Sequence, residues 1–438
     1  MKALLGENEY LEYVTITDTL ESADWLRQFW VRHDPTPTTP ENEFEKEHRR
    51  RVYHAIRLFG NSSRNGPPWD DRGEVYIRYG DPNERRVWQH GMADDPFRNT
   101  GTPGYGEEGI DDILSDATAA TEVWSYYRYN QTFQFEDQRG LGDFELVPVS
   151  DPSSRRQDLA DFYDAKVDAI ALQPAIYYHE YGRNLIDYAL DVVRFHSEGD
   201  FWRVDVNLGY PLSELGRGAD SVSISLRRTL VILDDNEREV YSEVGVINRI
   251  IDTVRSVNRL MVEQKVIDLP SGRYRLAVTI DDLFSQKSGT YTKDLQLPSY
   301  ISEGVHEISD LELASFVWSI YEPDSPFLKS DLMVMPLPSR VYLPEQPLAF
   351  YYEIYNLLVD ESGKTRYRID YTISQIDGEF KRTVSEPALF TGTRRNVEQT
   401  GTVDLSTVPS GDHLLTVTVY DEIGRHERTT AARFRKIG

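Results

Sequence analysis

Residues 268–282 read DLPSGRYRLAVTIDD, and residues 409–421 repeat the pattern as PSGDHLLTVTVYD. Both copies have Pro-Ser-Gly followed by Leu-x-Val-Thr-(Ile/Val)-x-Asp at the same spacing. A turn sequence followed by apolar residues at every second position predicts a turn that leads into a long, half-buried β-strand. Because a shared spacing of this length is typical of an internal repeat, the pattern indicates two related β-domains in tandem.

Further alternating runs surround the first copy. They lie at 187–196, 201–208, 221–233, 238–247, 259–268, 273–281 and 290–297. Several short strands at regular spacing predict a β-sandwich of the immunoglobulin-like type. Each copy of the repeat is also followed by one more strand, at 290–297 and 425–435. We therefore expect one sandwich over residues 184–300 and a second over residues 301–438, joined near residues 297–300.

The first 154 residues have a mixed pattern that predicts an α+β domain. Helices are expected at 21–33 and from Pro40 to Phe59, with Thr39 as the N-cap of the second. A strand is expected after Gly73, and an antiparallel meander over 121–148. Residues 155–172 predict a helix within a connecting segment at 155–183. The Gly-, Pro- and Asp-rich loop at 89–120 is too long for a simple connection and indicates a flap or a mobile insertion. The fold class is thus multidomain, with α+β and all-β parts.

The chain resembles bacterial proteins named for the GWxTD domain. The resemblance is carried by Phe29-Trp30, RHDPTP at 32–37, Asn42-Glu43, DRGEVYI at 71–77, Tyr79-Gly80-x-Pro82, Trp124-x-Tyr126 and YEIYNL at 352–357. It implies export to the periplasm or cell surface and a biochemical role that is uncharacterised. The naming motif itself differs, because residues 67–71 read PPWDD where the family has Gly-Trp-x-Thr-Asp, and only Asp71 matches without a gap.

Composition excludes several classes of function. The formal net charge of −25 argues against nucleic-acid binding, which needs clustered Lys and Arg to neutralise phosphates. The absence of cysteine excludes disulfides, thiolate nucleophiles and Cys-ligated metals. No window approaches 18 apolar residues, so no transmembrane segment is expected, and the given chain carries no signal peptide. The sequence lacks phosphate-loop and GxSxG motifs and has no GxGxxG that follows a predicted strand, so no cofactor is expected.

Residues that could carry function cluster in the N-terminal domain. The candidate functional or architectural set comprises Asp34, Asn42, Glu43, Trp69, Asp70, Asp71, Arg72, Gly73 and Tyr76. The acids and arginine at 70–72 could form a reactive cluster, or a latch in which Asp71 accepts backbone N–H bonds and Arg72 pairs with a helix acid. The latch is favoured because a catalytic acid/base pair needs a set separation rather than adjacency. Gly73 is expected to adopt a φ angle that other residues resist.

The sequence leaves three functions open. The first is a non-enzymatic structural or protein-interaction component of the bacterial cell envelope, with protein partners. The second is a hydrolase or carbohydrate-active enzyme that uses Asp70, Asp71, His33 or Glu43 beneath the 89–120 loop. The third is glycan binding through an aromatic platform at Trp88, Trp124 and Tyr126. His33, His48 and His54 lack metal-site spacing, so no metal is expected there, although the acidic turns at 234–237 and 281–282 could offer oxygens to calcium.

Overall fold

The computed structural model describes residues 4–60, 67–88, 120–129, 131–147, 185–197, 199–216, 223–250, 260–299, 305–319, 325–376, 378–384 and 388–438. The chain divides into two compact units, Met1–Glu180 and Tyr181–Gly438. The described residues are mostly in β-sheets, with four α-helices among them, which confirms the expected β-rich class. The helix expected at 155–172 and nearly all of the 89–120 loop lie outside the described residues.

The four helices belong to the first unit. They are α1 Glu7–Thr15, α2 Thr19–Arg32, α3 Glu43–Leu58 and α4 Asp71–Tyr79. The expected N-cap of α3 at Thr39 is wrong, because Asn42 Oδ1 accepts the N–H of Glu45 at 2.9 Å and starts the helix there. Thr39 instead donates its hydroxyl proton to the carbonyl of Glu41 at 2.9 Å, within the loop that precedes the helix.

The segment expected to form the first strand is the helix α4, so that prediction was wrong. Asp70 caps the helix by accepting the N–H groups of Arg72 and Gly73, and Gly80 ends it at a φ of 79°. The side chains of α4 are buried on nearly every side of the helix, including Val75, Ile77 and Tyr79. A helix buried all round carries no amphipathic stripe, and the alternation of large residues then imitates the period of a strand.

The first unit also contains one antiparallel sheet. Its strands are β1 Glu84–Trp88, β2 Ala120–Tyr126, β3 Gln131–Asp137 and β4 Glu145–Val147, paired in that order, which confirms the expected meander. Burial alternates along β2 and β3, and the buried face presents Trp124, Tyr126, Phe133 and Phe135. These rings share one core with residues of α3 and α4, including Ala55.

The second unit begins with two sheets that enclose one hydrophobic core. The inner sheet has the order β5-β6-β9, and the outer sheet has the order β11-β10-β7-β8. Core residues come from both, including Val206 on β6 and Leu226 and Ile232 on β7. The bounds are β5 Ala189–His196, β6 Phe201–Pro211, β7 Ser223–Asp234, β8 Glu239–Ile250, β9 Leu260–Pro270, β10 Gly272–Asp282 and β11 Ser288–Leu297.

A second pair of sheets follows. One has the order β12-β17-β13-β15-β14 with β21 also paired to β17, and the other has the order β16-β23-β22-β18-β19 with β20 also paired to β18. They enclose a core that includes Phe350, Ile369 and Val417. The bounds are β12 Glu307–Ile308, β13 Glu312–Trp318, β14 Leu328–Lys329, β15 Leu332–Pro336, β16 Val341–Tyr342, β17 Leu348–Tyr355, β18 Thr365–Gln375, β19 Lys381–Thr383, β20 Ala388–Gly392, β21 Val397–Val403, β22 Gly411–Asp421 and β23 His426–Lys436.

The two copies of the repeat occupy equivalent positions. Each copy forms a strand, β10 or β22, that pairs antiparallel with the strand after it and with β7 or β18. Each ends in a buried aspartate whose Oδ1 accepts two N–H groups of the following turn, from Phe284 and Ser285 in one case and Ile423 and Gly424 in the other. The repeat therefore encodes a turn, a strand and the capping acid of the next turn.

The two inner sheets pack against each other. Val193 and Phe195 on β5 contact Ala314, Val334 and Tyr351 of the second pair in a separate buried cluster. The sheet β5-β6-β9 thus has one face in the first core and the other against the next sheet, and residues 204–210 of β6 are buried without alternation. The second unit is therefore four sheets in layers, with two inner sheets covered on both faces.

Candidate functional site

The arginine of the 70–72 cluster lies between two buried carboxylates. Arg72 Nε and Nη2 donate to Asp70 Oδ2 at 3.0 and 2.6 Å, and its Nη1 donates to Glu122 Oε1 at 2.8 Å. Asp70 caps α4, whereas Glu122 belongs to β2. The expected pairing of Arg72 with a helix acid was therefore only partly right, because its second partner is a strand residue that the sequence analysis did not single out. We call Asp70, Arg72 and Glu122 the latch.

Glu122 is the central acceptor of the latch. Besides Arg72 it accepts from Arg85 Nε at 3.0 Å and from the indole N–H of Trp124 at 2.9 Å. Burial alone would raise the pKa of the Glu122 carboxyl, but these hydrogen bonds and the two guanidinium charges lower it below its usual range. The guanidinium of Arg72 also lies 3.6 Å from the ring centroid of Phe144. Glu122 is thus kept ionised, and its carboxylate accepts hydrogen bonds from three side chains.

The remaining residues at 69–76 have packing roles. Asp71 is exposed, and its Oδ2 accepts the N–H of Leu146 on β4 at 2.8 Å. Gly73 lies inside α4 without a positive φ, so the expected reason for a glycine was wrong. A Cβ at Gly73 would lie 2.5 Å from the Cβ of Trp69, which shows that close approach is what requires glycine here. The buried ring of Tyr76 packs 5.7 Å from that of Phe59.

Asp34, Asn42 and Glu43 organise the connection between α2 and α3. Asp34 Oδ1 accepts the N–H of Thr36 at 2.9 Å. Glu43 accepts the hydroxyl of buried Thr36, and its Oε1 lies 3.3 Å from the Thr39 hydroxyl. Asn42 caps α3 and also donates from Nδ2 to the carbonyl of Trp30 at 2.6 Å, which ties the start of α3 to the end of α2. The motif at 32–43 is accordingly a helix–helix connection.

The aromatic platform does not assemble. Trp124 and Tyr126 are 1% and 2% exposed, and their rings belong to the core of the first unit. The Tyr126 hydroxyl donates to the carbonyl of Gly80 at 2.9 Å. Trp88 is the last residue of β1, and its side chain lies outside the described part. Two of the three residues expected to stack on a sugar are therefore inaccessible to it.

The three histidines in the described part of the first unit have separate environments. His33 Nδ1 lies 2.9 Å from the carbonyl of Phe29, and His48 packs 5.6 Å from the Trp30 ring. The ring of His54 stacks on Tyr76 at 6.3 Å. Burial lowers the pKa of His48 to about 4, and nearby Arg51 and Arg49 act in the same direction. His48 is therefore neutral at physiological pH.

A buried polar cluster lies between the two inner sheets of the second unit, and the sequence analysis missed it. Lys329 on β14, Asp205 on β6 and Glu312 on β13 each have a side chain that is 0% exposed. Lys329 Nζ contacts Asp205 Oδ2 and lies 2.5 Å from Glu312 Oε2. Arg203 pairs with the same aspartate at 2.9 Å. The only signal in the sequence is that lysine is rare in this chain, at ten positions.

The aspartates of the acidic turns accept hydrogen bonds from backbone N–H groups. Asp234 Oδ1 accepts the N–H groups of Asn236 and Arg238 at 2.8 and 2.9 Å. Asp282 accepts backbone N–H groups from Gly216, Phe284 and Ser285. Over the residues that the structure describes, no group of three or more His, Asp or Glu side chains is arranged to hold a metal ion. None of the described helices combines the length and apolar character needed to cross a membrane.

Comparison with known proteins adds little. No family model matches the chain, and no curated protein matches it significantly. One solved structure that it resembles is described as trypsin-activated alpha-2-macroglobulin from Escherichia coli, at 11% sequence identity and a TM-score of 0.18. The match covers 58% of this chain and 17% of that one, so the chain spans under a fifth of that protein's length. A similarity this low supports no conclusion about fold or function.

Proposed function

We propose that this chain is a non-enzymatic structural or protein-interaction component of the bacterial cell envelope, related to the GWxTD proteins. The residues at 32–37 and 71–77 carry that relationship, and export to the periplasm or cell surface follows from it. In this proposal the second unit comprises two immunoglobulin-like sandwiches, at 184–300 and 301–438, and the N-terminal α+β domain extends to residue 154.

The engagement of the candidate catalytic residues supports a non-enzymatic role. Asp70 caps the N-terminus of α4 and pairs with Arg72, and Glu43 accepts the Thr36 hydroxyl in the helix connection. Catalytic carboxylates need lone pairs directed at a substrate. Here the carboxylates accept hydrogen bonds from groups of the protein itself, so their role is structural.

Cell fractionation tests the location. The complete gene, tagged at an internal loop, should yield protein in the periplasmic or membrane fraction, together with neighbours that can be cross-linked in intact cells. Recovery in the cytoplasm alone would contradict the proposal.

A hydrolase assay tests the non-enzymatic part. Wild-type protein should show no turnover of ester or glycoside substrates above that of Asp71→Asn and Glu43→Gln variants. Turnover by the wild type that either substitution abolishes, with the fold retained, would establish the enzyme alternative in its place.

A further inference from the structure

The buried lysine between the inner sheets has two carboxylates in contact. Lys329 Nζ touches Asp205 Oδ2 and lies 2.5 Å from Glu312 Oε2. Its two closest aromatic neighbours are Phe195, at 4.2 Å from Nζ to the ring centroid, and Tyr351, at 5.4 Å. All three polar side chains are sealed from water. This site thus brings an amine and two carboxyl groups together in an apolar enclosure.

The apolar enclosure prepares the Glu312 carboxyl to accept a proton, because desolvation disfavours its charged form. Burial raises the pKa of the Glu312 carboxyl, although the charge of Lys329 opposes this. A desolvated lysine amine is a nucleophile, as it is in enzymes that use lysine for covalent catalysis.

The carboxyl groups of Asp205 and Glu312 have different hydrogen-bond partners. Arg203 donates to Asp205 from Nε to Oδ1 at 2.9 Å and from Nη2 to Oδ2 at 3.1 Å. These two hydrogen bonds orient the Asp205 carboxyl group. The Arg203 guanidinium can also stabilise negative charge on the Asp205 oxygens when a nucleophile adds to Cγ of Asp205. Glu312 Oε1 accepts Asn207 Nδ2 at 3.2 Å and Gln264 Nε2 at 3.1 Å, which leaves Oε2 toward Lys329.

We propose that Lys329 and Asp205 join in an intramolecular isopeptide bond. Glu312 Oε2 takes a proton from the lysine ammonium, and Nζ adds to Cγ of Asp205 while Arg203 stabilises the oxygens. Glu312 passes that proton to one carboxyl oxygen, relays a second proton from Nζ to the same oxygen, and the C–O bond breaks so that this oxygen leaves as water. Of the three ammonium protons, one stays on the amide nitrogen and two leave with the oxygen as water, so charge and atoms balance and no oxidant is needed.

Preorganisation makes this condensation favourable where it would not be in dilute solution. Reacting groups held in place reach effective concentrations of roughly 10⁵–10⁸ M, and a dry site does not retain the water that would reverse the reaction. The bond links residues 124 positions apart in the chain, and it joins the inner sheet β5-β6-β9 to the inner sheet that contains β14. It goes beyond the proposed function, since it requires neither export nor a partner.

Mass spectrometry of the full chain tests the bond. Denatured wild-type protein should be lighter than its sequence by one water molecule. A tryptic digest should contain a branched peptide in which residues 204–217 are joined to residues 294–340 with Lys329 uncleaved. Folded wild-type protein at its full sequence mass, with separate peptides for the two segments, would overturn the proposal and leave only an ion-pair network.

Variants separate the roles of the three residues. Asp205→Asn should form the same amide with loss of ammonia instead of water, which identifies the reacting carbon. Glu312→Gln should fold, as judged by circular dichroism, but keep its full mass; loss of water by this variant would overturn the role assigned to Glu312. Lys265→Met is the matched control, because Lys265 pairs with Glu243 in a partly exposed position, and it should lose water as the wild type does.

Discussion

Arg72 joins two buried carboxylates that belong to different elements, and this arrangement makes it sensitive to substitution. Removing one partner of a buried ion pair costs more than the pair contributes, because charges remain without compensation. We expect Arg72→Met to lower the unfolding free energy of the first unit by about 3–5 kcal/mol, measured by urea denaturation. The matched control is Arg49→Met, whose side chain is 75% exposed and pairs with Glu45. It should change stability by less than about 1 kcal/mol, and equal effects of the two substitutions would refute the latch.

His48 provides a pH-dependent prediction. Its pKa is about 4 in the folded protein and about 6.5 in an unfolded chain, so the unfolded state binds the proton first. Neutral His48 therefore contributes to the unfolding free energy in full above about pH 6.5. As the pH falls towards 4, the unfolding free energy decreases by roughly 1–3 kcal/mol. His48→Gln should reduce the slope of stability against pH in that window, whereas His54→Gln on the same helix should keep it. A slope unchanged in His48→Gln would contradict this assignment.

At the level of elements, the sequence predicts what its periodicity can show. The strands between 187 and 297, the repeat strand at 409–421 with its successor, the meander and both early helices follow from alternation or from a helical stripe, and the structure confirms them. The helix α4 could not be predicted in this way, because its side chains are buried all round. Asp70 before the helix and Gly80 after it are typical helix caps, but the alternation of Val75, Ile77 and Tyr79 predicted a strand between them.

Gly73 tests the packing of α4. Replacing glycine by alanine inside a helix normally stabilises it by about 1 kcal/mol. Here the new Cβ would lie 2.5 Å from Trp69 Cβ, so we expect Gly73→Ala to destabilise the first unit by about 1–3 kcal/mol. A double-mutant cycle with Trp69→Gly, which removes that Cβ, should show that the two substitutions together cost less than their sum. Stabilisation by Gly73→Ala alone would show that the two elements lie farther apart.

For the whole molecule, the layering of sheets is what the sequence could not reveal. Alternation identifies two faces of a strand, but it does not distinguish a face in water from a face against another sheet. Asp205 and Asn207 alternate with valine and leucine on β6 and therefore read as solvent-facing, although both are fully buried. Lys329 carries no pattern at all, because β14 is only two residues long. The candidate site between the sheets was for this reason out of reach.

The interface between the inner sheets can be tested by inserting a charge. Val193→Asp would place a carboxylate without a partner among Phe195, Ala314 and Tyr351, and burying such a group costs several kcal/mol. We expect calorimetry of the second unit to show one transition in the wild type and two transitions in this variant. Val244→Asp is the control, because Val244 on β8 is 64% exposed, and it should preserve a single transition. One transition in both variants would contradict the role assigned to Val193 and its neighbours in coupling the two sheet pairs.

The two inner sheets also bear on how this protein can diverge. A strand with one solvent-exposed face tolerates substitution at every second residue during evolution, because only the alternate residues contact a core. β6 and β17 lie in sheets that are covered by another sheet on each face, so both of two adjacent residues are buried. A substitution at either residue then requires a compensating substitution in the sheet that it contacts. Relatives of this chain should therefore share consecutive positions along these two strands long after the outer strand β8 has lost any recognisable similarity.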